Sequence, residues 1–225
     1  MYKELQERVY DANMALKRNG LITLTWGNVS MVQDGVMAIK PSGVPYESLR
    51  PSDIVIIDRA TQKQIHGTLK PSSDTPTHLY LYDHLPQIGG IVHTHSRWAT
   101  IFAQAGKAIP AFGTTHADTF YGSVPCTRPL SKEEIETKYE ENTGKVIVET
   151  VKDPVAIPAI LIEGHGPFAW GKDANEAVEH AIILEEVAMM AYHTLTLKGN
   201  ANPIDQHLLD KHYLRKHGKD AYYGQ

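Results

Sequence analysis

Thiol chemistry is almost absent from this chain: its 225 residues include a single cysteine, Cys126. One thiol cannot close an intrachain disulfide and cannot alone build a thiolate zinc site, so any bound metal has to rely on nitrogen and oxygen ligands. Long apolar runs are missing as well. No unbroken apolar stretch reaches the roughly 18 residues that suggest a membrane span, and the N-terminal MYKELQERVY lacks a secretory hydrophobic core. The expected location is therefore the cytoplasm, with no membrane partner. Charge of one sign is not concentrated anywhere: 22 Lys+Arg against 26 Asp+Glu leave a formal net charge of −4, without a block of like charge. That balance argues against a nucleic-acid partner. Internal repeats, low-complexity tracts and linkers are also lacking, and the length suits one domain over residues 1–225 with a sizeable core.

What the chain does have is histidine, 12 in all, and a legible run of elements. Leu5, Val9, Ala12 and Leu16 recur at helical spacing and Gly20 follows as a C-cap, which predicts an amphipathic N-terminal helix facing the core. From Leu21 the short runs LITLT, VSMV, VMAIK and DIVIID read as strands, with Asp34-Gly35 as a hairpin turn between two of them. A helix is expected from Thr75 to Leu85, then a strand through Gly89-Gly90-Ile91-Val92, then a helix opened by Ser96. Ser131-Lys-Glu-Glu has capping-box spacing, VIVETV after Gly144 reads as a strand, and AILIEG and PFAWG read as two more. Helical patterns run from Asp173 to Leu197 and from Ile204 to His217. Hairpins in front and helices behind predict an α/β layered fold with a mixed, mostly antiparallel sheet.

Chemistry centres on IGGIVHTHS. His93 and His95 stand two apart at the end of an apolar run, and side chains two apart on a strand share a face, so both imidazoles can reach one metal ion. Two histidines at a strand end also occur simply solvated or bonded to backbone. His165, between Gly164 and Gly166 in EGHGPFAWG, suits a ligand presented from a sharp turn. Asp74 in KPSSDTPTH is a candidate oxygen ligand and, equally, an N-cap for the helix it precedes. Gly27-Asn28, Ser42-Gly43 and Ser72-Ser73 offer hydroxyls or open backbone N–H groups at predicted turns, as phosphate-binding loops and ordinary loops both do. Lys40 beside Ser42 could add charge to such a loop, though a lysine at a strand end is more often simply solvated. Candidate acids and bases are His116 and Asp118 in GTTHADTF, and Tyr222 and Tyr223 in the C-terminal AYYGQ. A tyrosine there acts as a proton donor only if the tail is pinned against a site.

Taken in order, TWGNVS, IKPSG, KPSSDTPTH, GGIVHTHS, GTTHADTFYG, PCTR, HGPFAWGK and DKHYLRKHG followed by AYYGQ resemble the class II aldolase and epimerase family, over Thr23 to Gln225. The Tyr-Tyr-Gly-Gln ending resembles its epimerase branch. The resemblance implies a three-layer α/β/α fold and a homotetramer with active sites at subunit interfaces. It also implies a sugar-phosphate substrate and one zinc ion per subunit, held by His93, His95, His165 and Asp74. By the same resemblance Gly27, Asn28, Ser42, Gly43, Ser72 and Ser73 contact substrate and phosphate. Asp118 and Tyr223 form the acid/base pair, with the tyrosine from a neighbouring subunit, and His212 lies near that tail. Thr119 and Glu163 depart from the family pattern as residues that adjust the pocket. The implied activity is interconversion of L-ribulose 5-phosphate and D-xylulose 5-phosphate by inversion at C4, through cleavage and re-formation of the C3–C4 bond. L-Arabinose and ascorbate-type routes deliver the same ketose, and both stay open. The competing reading is a sugar-phosphate aldolase of the fuculose-phosphate type, which would release both fragments. A non-catalytic module on the same scaffold has no use for such a residue set, and a hydrolytic zinc enzyme lacks support without an HExxH helix.

Overall fold

The computed structural model describes residues 2–223. Helix α1 (Lys3–Arg18) buries Leu5, Val9, Ala12 and Leu16 on one face, as their spacing predicts. Strands follow as β1 (Asn28–Gln33), β2 (Val36–Ile39), β3 (Val55–Asp58) and β4 (Gln64–His66). Asp34 and Gly35 turn the first hairpin with φ of 49° and 80°, the positive pair a two-residue hairpin favours. Then come α2 (Thr75–His84), β5 (Gly90–His93), α3 (Arg97–Gln104), α4 (Thr114–Ala117), α5 (Lys132–Glu136) and α6 (Tyr139–Thr150). The chain ends with β6 (Ala159–Leu161), β7 (Pro167–Gly171), α7 (Ala174–Leu197) and α8 (Gln206–His217).

The seven strands form one sheet in the order β4-β3-β2-β1-β5-β7-β6. Each adjacent pair in that sheet is antiparallel, and a parallel contact occurs as the isolated bridge Cys126 to Leu161. Alternation along the strands builds two cores. Val29, Ala38, Ile56, Val92 and Ala169 pack with α1, α3 and α7 on one face. Met37, Ile39, Val55, Ile57, Ile91, Phe168 and Trp170 pack with α2 and α6 on the other. The result is helices, sheet, helices: the three-layer α/β/α arrangement.

Three expectations fail locally. LITLT is an irregular loop, because Leu24 takes φ 54° and Gly27 φ 107° while Trp26 N–H turns back to the Thr23 carbonyl. VIVETV is the body of α6, where Val146 and Ile147 are buried and the bare Gly144 lets the Tyr80 ring of α2 come close; a Cβ there would sit 2.9 Å from the Tyr80 Cβ. Tertiary packing against α2 outweighs the β-branched preference. Ser96 does precede α3, but its hydroxyl makes no cap bond; the Glu185 carboxylate of α7 accepts from Trp98 and Ala99 N–H instead, at 2.9 and 3.0 Å. The Ser131/Glu134 capping box forms as its spacing predicts, and Asp173, placed inside the helical pattern by sequence, is instead the N-cap of α7, accepting from Asn175 and Glu176 N–H.

Candidate active site

Sheet pairing assembles the histidines. β5 lies between β1 and β7, with His93 directly opposite Asn28 on one side and Phe168 on the other. The strand ends at His93, and His95 follows in the extended segment beyond it. His165 sits in the β6–β7 turn, closed by His165 N–H to the Ile162 carbonyl and by Gly164 at φ 73°. The three rings meet with centroids 4.8–5.0 Å apart, and their ligand nitrogens all lie within 4.8 Å of one another. His93 Nδ1 is 2.9 Å from the Pro167 carbonyl oxygen, which can only accept, so this nitrogen carries a hydrogen and Nε2 is the one left to act as a ligand. Burial, and after it the neighbouring His93, lowers the pKa of His95; burial, then His93 and His95, pushes His165 down to about 4. These two imidazoles are therefore neutral near pH 7, as metal ligands must be. Neutral imidazoles converging beside a carboxylate fit a divalent cation of the zinc type.

Asp74 borders the same cavity of about 410 Å³ but does not belong to the cluster of ligand atoms. It is the residue before α2, yet its side chain does not cap that helix; Oδ2 accepts from Asn28 Nδ2 at 2.6 Å. Burial alone would raise its pKa, and the field of His93 and His78 with the Asn28 hydrogen bond outweighs this and lowers it.

The serine loops face the histidines across that cavity. Ser42 N–H bonds the Lys70 carbonyl and Ser72 N–H the Lys40 carbonyl, so a bridge at Pro41 and Pro71 ties the two loops side by side. Those two N–H groups are taken. The N–H groups of Gly43 and Ser73 make no such bond among the described residues, and the Ser72 hydroxyl is engaged with Asn28. Lys40 is 2% exposed, contrary to the solvated reading. Its Nζ lies beneath the loop, donating to the Pro41 and Val44 carbonyls over the Tyr46 ring, and burial pushes its pKa down to about 8. At Gly27 the chain passes so close to His93 that an added Cβ would stand 2.9 Å from the His93 carbonyl oxygen.

The lining also includes residues that the sequence does not single out, among them Trp26, half-exposed and 6.1 Å from the His95 ring, and Tyr139 and Glu140 at the start of α6. The capping-box signal just upstream was the one local hint of a helix there. Burial, then Asp74 and Glu140, raises the Tyr139 phenol pKa.

Asp118 and Tyr223 do not border this cavity. Asp118, at the end of α4, accepts from Arg215 Nη2 with both oxygens at 3.0 and 3.1 Å, and Oδ1 also lies 3.0 Å from His212 Nδ1. The Arg215 guanidinium stands 4.1 Å from the centre of the Tyr223 ring, and its carbonyl accepts from Tyr223 N–H. The candidate residues thus fall into two groups, a histidine and serine cavity and a cluster of Asp118 and Tyr223 around Arg215 of α8. Glu163 packs against Gly106, Thr119 is buried, and burial followed by Glu163 pushes the Cys126 thiol up to about 11, which leaves it inert.

A three-layer α/β/α fold presenting a histidine triad beside paired serine loops defines a class II aldolase type of protein. The chain belongs to that family: residues 7–192 match the class II aldolase and adducin N-terminal domain. Among curated proteins it is 54% identical, over 99% of both chains, to L-ribulose-5-phosphate 4-epimerase UlaF of Salmonella paratyphi A and to that of Salmonella typhi. Solved structures share the fold. An L-fuculose 1-phosphate aldolase superposes with TM-score 0.74 at 22% identity, covering 93% of this chain and 94% of the other. The L-fuculose-1-phosphate aldolase of Thermus thermophilus gives 0.68 at 22% identity, covering 88% and 99%.

Proposed function

We propose that the chain is a metal-dependent epimerase that interconverts L-ribulose 5-phosphate and D-xylulose 5-phosphate by inverting C4. The observation that carries this reading is the 54% identity, end to end, with proteins bearing that activity in their names. The carbonyl of the substrate is at C2, so C4 bears no acidic hydrogen and direct deprotonation is closed; cleaving and re-forming C3–C4 inverts the centre without a redox cofactor. His93, His95 and His165, with Asp74 as a further ligand, would hold a zinc ion, which would supply Lewis acidity to the ketone and stabilise the negative charge that C3–C4 cleavage leaves.

The protein's own groups do the rest. Gly43 and Ser73 N–H, with the Ser42 hydroxyl, hold the phosphate over the buried Lys40, while Gly27 and Asn28 border the sugar. A fixed phosphate keeps the two-carbon aldehyde fragment in place while its carbonyl turns, so that re-addition meets the opposite face. Asp118 and Tyr223 take the C4 oxygen's proton on one side and return it on the other. Arg215 binds both in one protomer and neither borders its own cavity, so the pair is presented together to the cavity of a neighbouring copy within a homotetramer. A doubly charged sugar phosphate does not cross a bilayer unaided, which assigns the enzyme to the cytoplasm.

The test is conversion of L-ribulose 5-phosphate by purified protein before chelation, after it, and after zinc is restored. D-Xylulose 5-phosphate that disappears with chelator and returns with zinc is the expected result. Free glycolaldehyde phosphate without the xylulose product would make the protein an aldolase.

A further inference from the structure

The three imidazoles are steadied in different ways. His93 gives its Nδ1 hydrogen to the Pro167 main-chain carbonyl at 2.9 Å. His95 has the Trp26 ring beside it at 6.1 Å. The His165 main chain is fixed, its N–H on the Ile162 carbonyl and Gly166 packed against the Thr94 carbonyl, but among the described residues no main-chain group bonds its ring. Its Nδ1 instead lies 3.1 Å from the Tyr139 hydroxyl, and the two rings stack at 27° with centroids 6.2 Å apart.

Tyr139 is well placed to act as such a brace. It is the first residue of α6, and the next residue is bolted to α2, where Thr77 Oγ1 donates to the Glu140 carbonyl at 2.6 Å. Asn142 Nδ2 ties the same turn to the Glu134 carbonyl at 3.0 Å. Since α2 begins just after Asp74, one rigid unit positions both the carboxylate and the tyrosine around the histidines. We propose that Tyr139 is a positioning residue that accepts the Nδ1 hydrogen of His165, holding the ring so that Nε2 faces the metal. This rests on the reading of His165 as a ligand. Outer partners of ligating histidines fix tautomer and orientation, and losing one weakens metal binding by about 10- to 100-fold.

The experiment strips metal from wild type, Tyr139→Phe, His165→Ala and the double variant, then titrates each with zinc against a competing chromophoric chelator. Phenylalanine keeps the stacked ring, and urea midpoints check that each variant is folded. Tyr139→Phe should bind zinc about 10- to 100-fold more weakly than wild type. In the His165→Ala background the same change should have no further effect, since the brace has nothing left to hold. Equal affinity in wild type and Tyr139→Phe overturns the inference, as does an equal loss in both backgrounds, which would mean that Tyr139 acts by another route. A wild type that binds no zinc overturns the metal reading itself.

Discussion

Replacing Gly27 with alanine separates two effects that the structure places at one residue. Gly27 has φ 107°, outside the region that side-chain-bearing residues adopt, and holding alanine there costs roughly 1–3 kcal/mol. Its Cβ would also meet Ile22 Cδ1 at 2.8 Å and the His93 carbonyl oxygen at 2.9 Å. The isoleucine methyl can swing aside. The carbonyl cannot, because His93 is paired with Asn28 on one side and Phe168 on the other. Crowding of this kind costs about 1–3 kcal/mol more, giving roughly 2–6 kcal/mol in total and a push on the His93 backbone. Gly43→Ala is the control: φ is 68°, nothing lies within 4 Å, and the backbone term alone applies, about 1–2 kcal/mol. Urea unfolding of the metal-free proteins gives the stabilities, and zinc titration reports on the histidines. Gly27→Ala should be the less stable of the two and bind zinc more weakly, while Gly43→Ala keeps wild-type zinc affinity. Equal stability losses would show that the clash contributes nothing, and an unmoved zinc affinity in Gly27→Ala would refute the claim that Gly27 sets the position of His93.

Further outcomes follow from the same geometry. His95→Ala should lower zinc content and turnover together, and a fully metallated, active variant would remove His95 from the ligand set. Tyr223→Phe should keep zinc content while turnover falls by about 10²- to 10⁴-fold, the usual worth of a proton-transfer group; unchanged turnover excludes it from that role. Burial, partly offset by its bond to the Gly122 carbonyl, pushes the His116 pKa from its ordinary 6.5 down to about 4. Below pH 6.5 the unfolded chain takes up a proton that the folded protein refuses, so stability falls with pH, by about 2 kcal/mol between pH 7 and pH 5 from this residue. His116→Asn should flatten the pH dependence of the urea midpoint by that amount, and equal slopes would refute it.

Much of the fold follows from local chemistry. The Asp34-Gly35 turn, the Ser131/Glu134 box and the Asp173 cap are each decided by a few neighbouring residues, and each forms where those residues stand. Local chemistry misleads where distant packing decides. VIVETV has the composition of a strand, but it lies on α2, and the identity of its partner is not written in the segment itself. That error hid Tyr139 and Glu140, since a supposed strand gives no reason to look at the first turn of a helix. β4 was missed for a different reason: Gln64, Ile65 and His66 are all exposed at the sheet edge, so no buried alternation marks them.

The histidines illustrate the same boundary within the site. His93 and His95 can be paired from their spacing, whereas the approach of His165 depends on β7 pairing with β5, a contact about seventy residues away in sequence. Burial separates the cavity from the Asp118 and Tyr223 cluster in a similar way. The cavity groups are held from beneath by the sheet and by Lys40, which leaves them fixed whether or not a second copy is present. Asp118 and Tyr223 instead share Arg215 of α8, with His212 also on the Asp118 carboxylate and Tyr223 half-exposed. If the cluster serves a neighbour's cavity, dilution to the monomer should abolish turnover while leaving zinc affinity intact, because the histidines and Asp74 all belong to one chain.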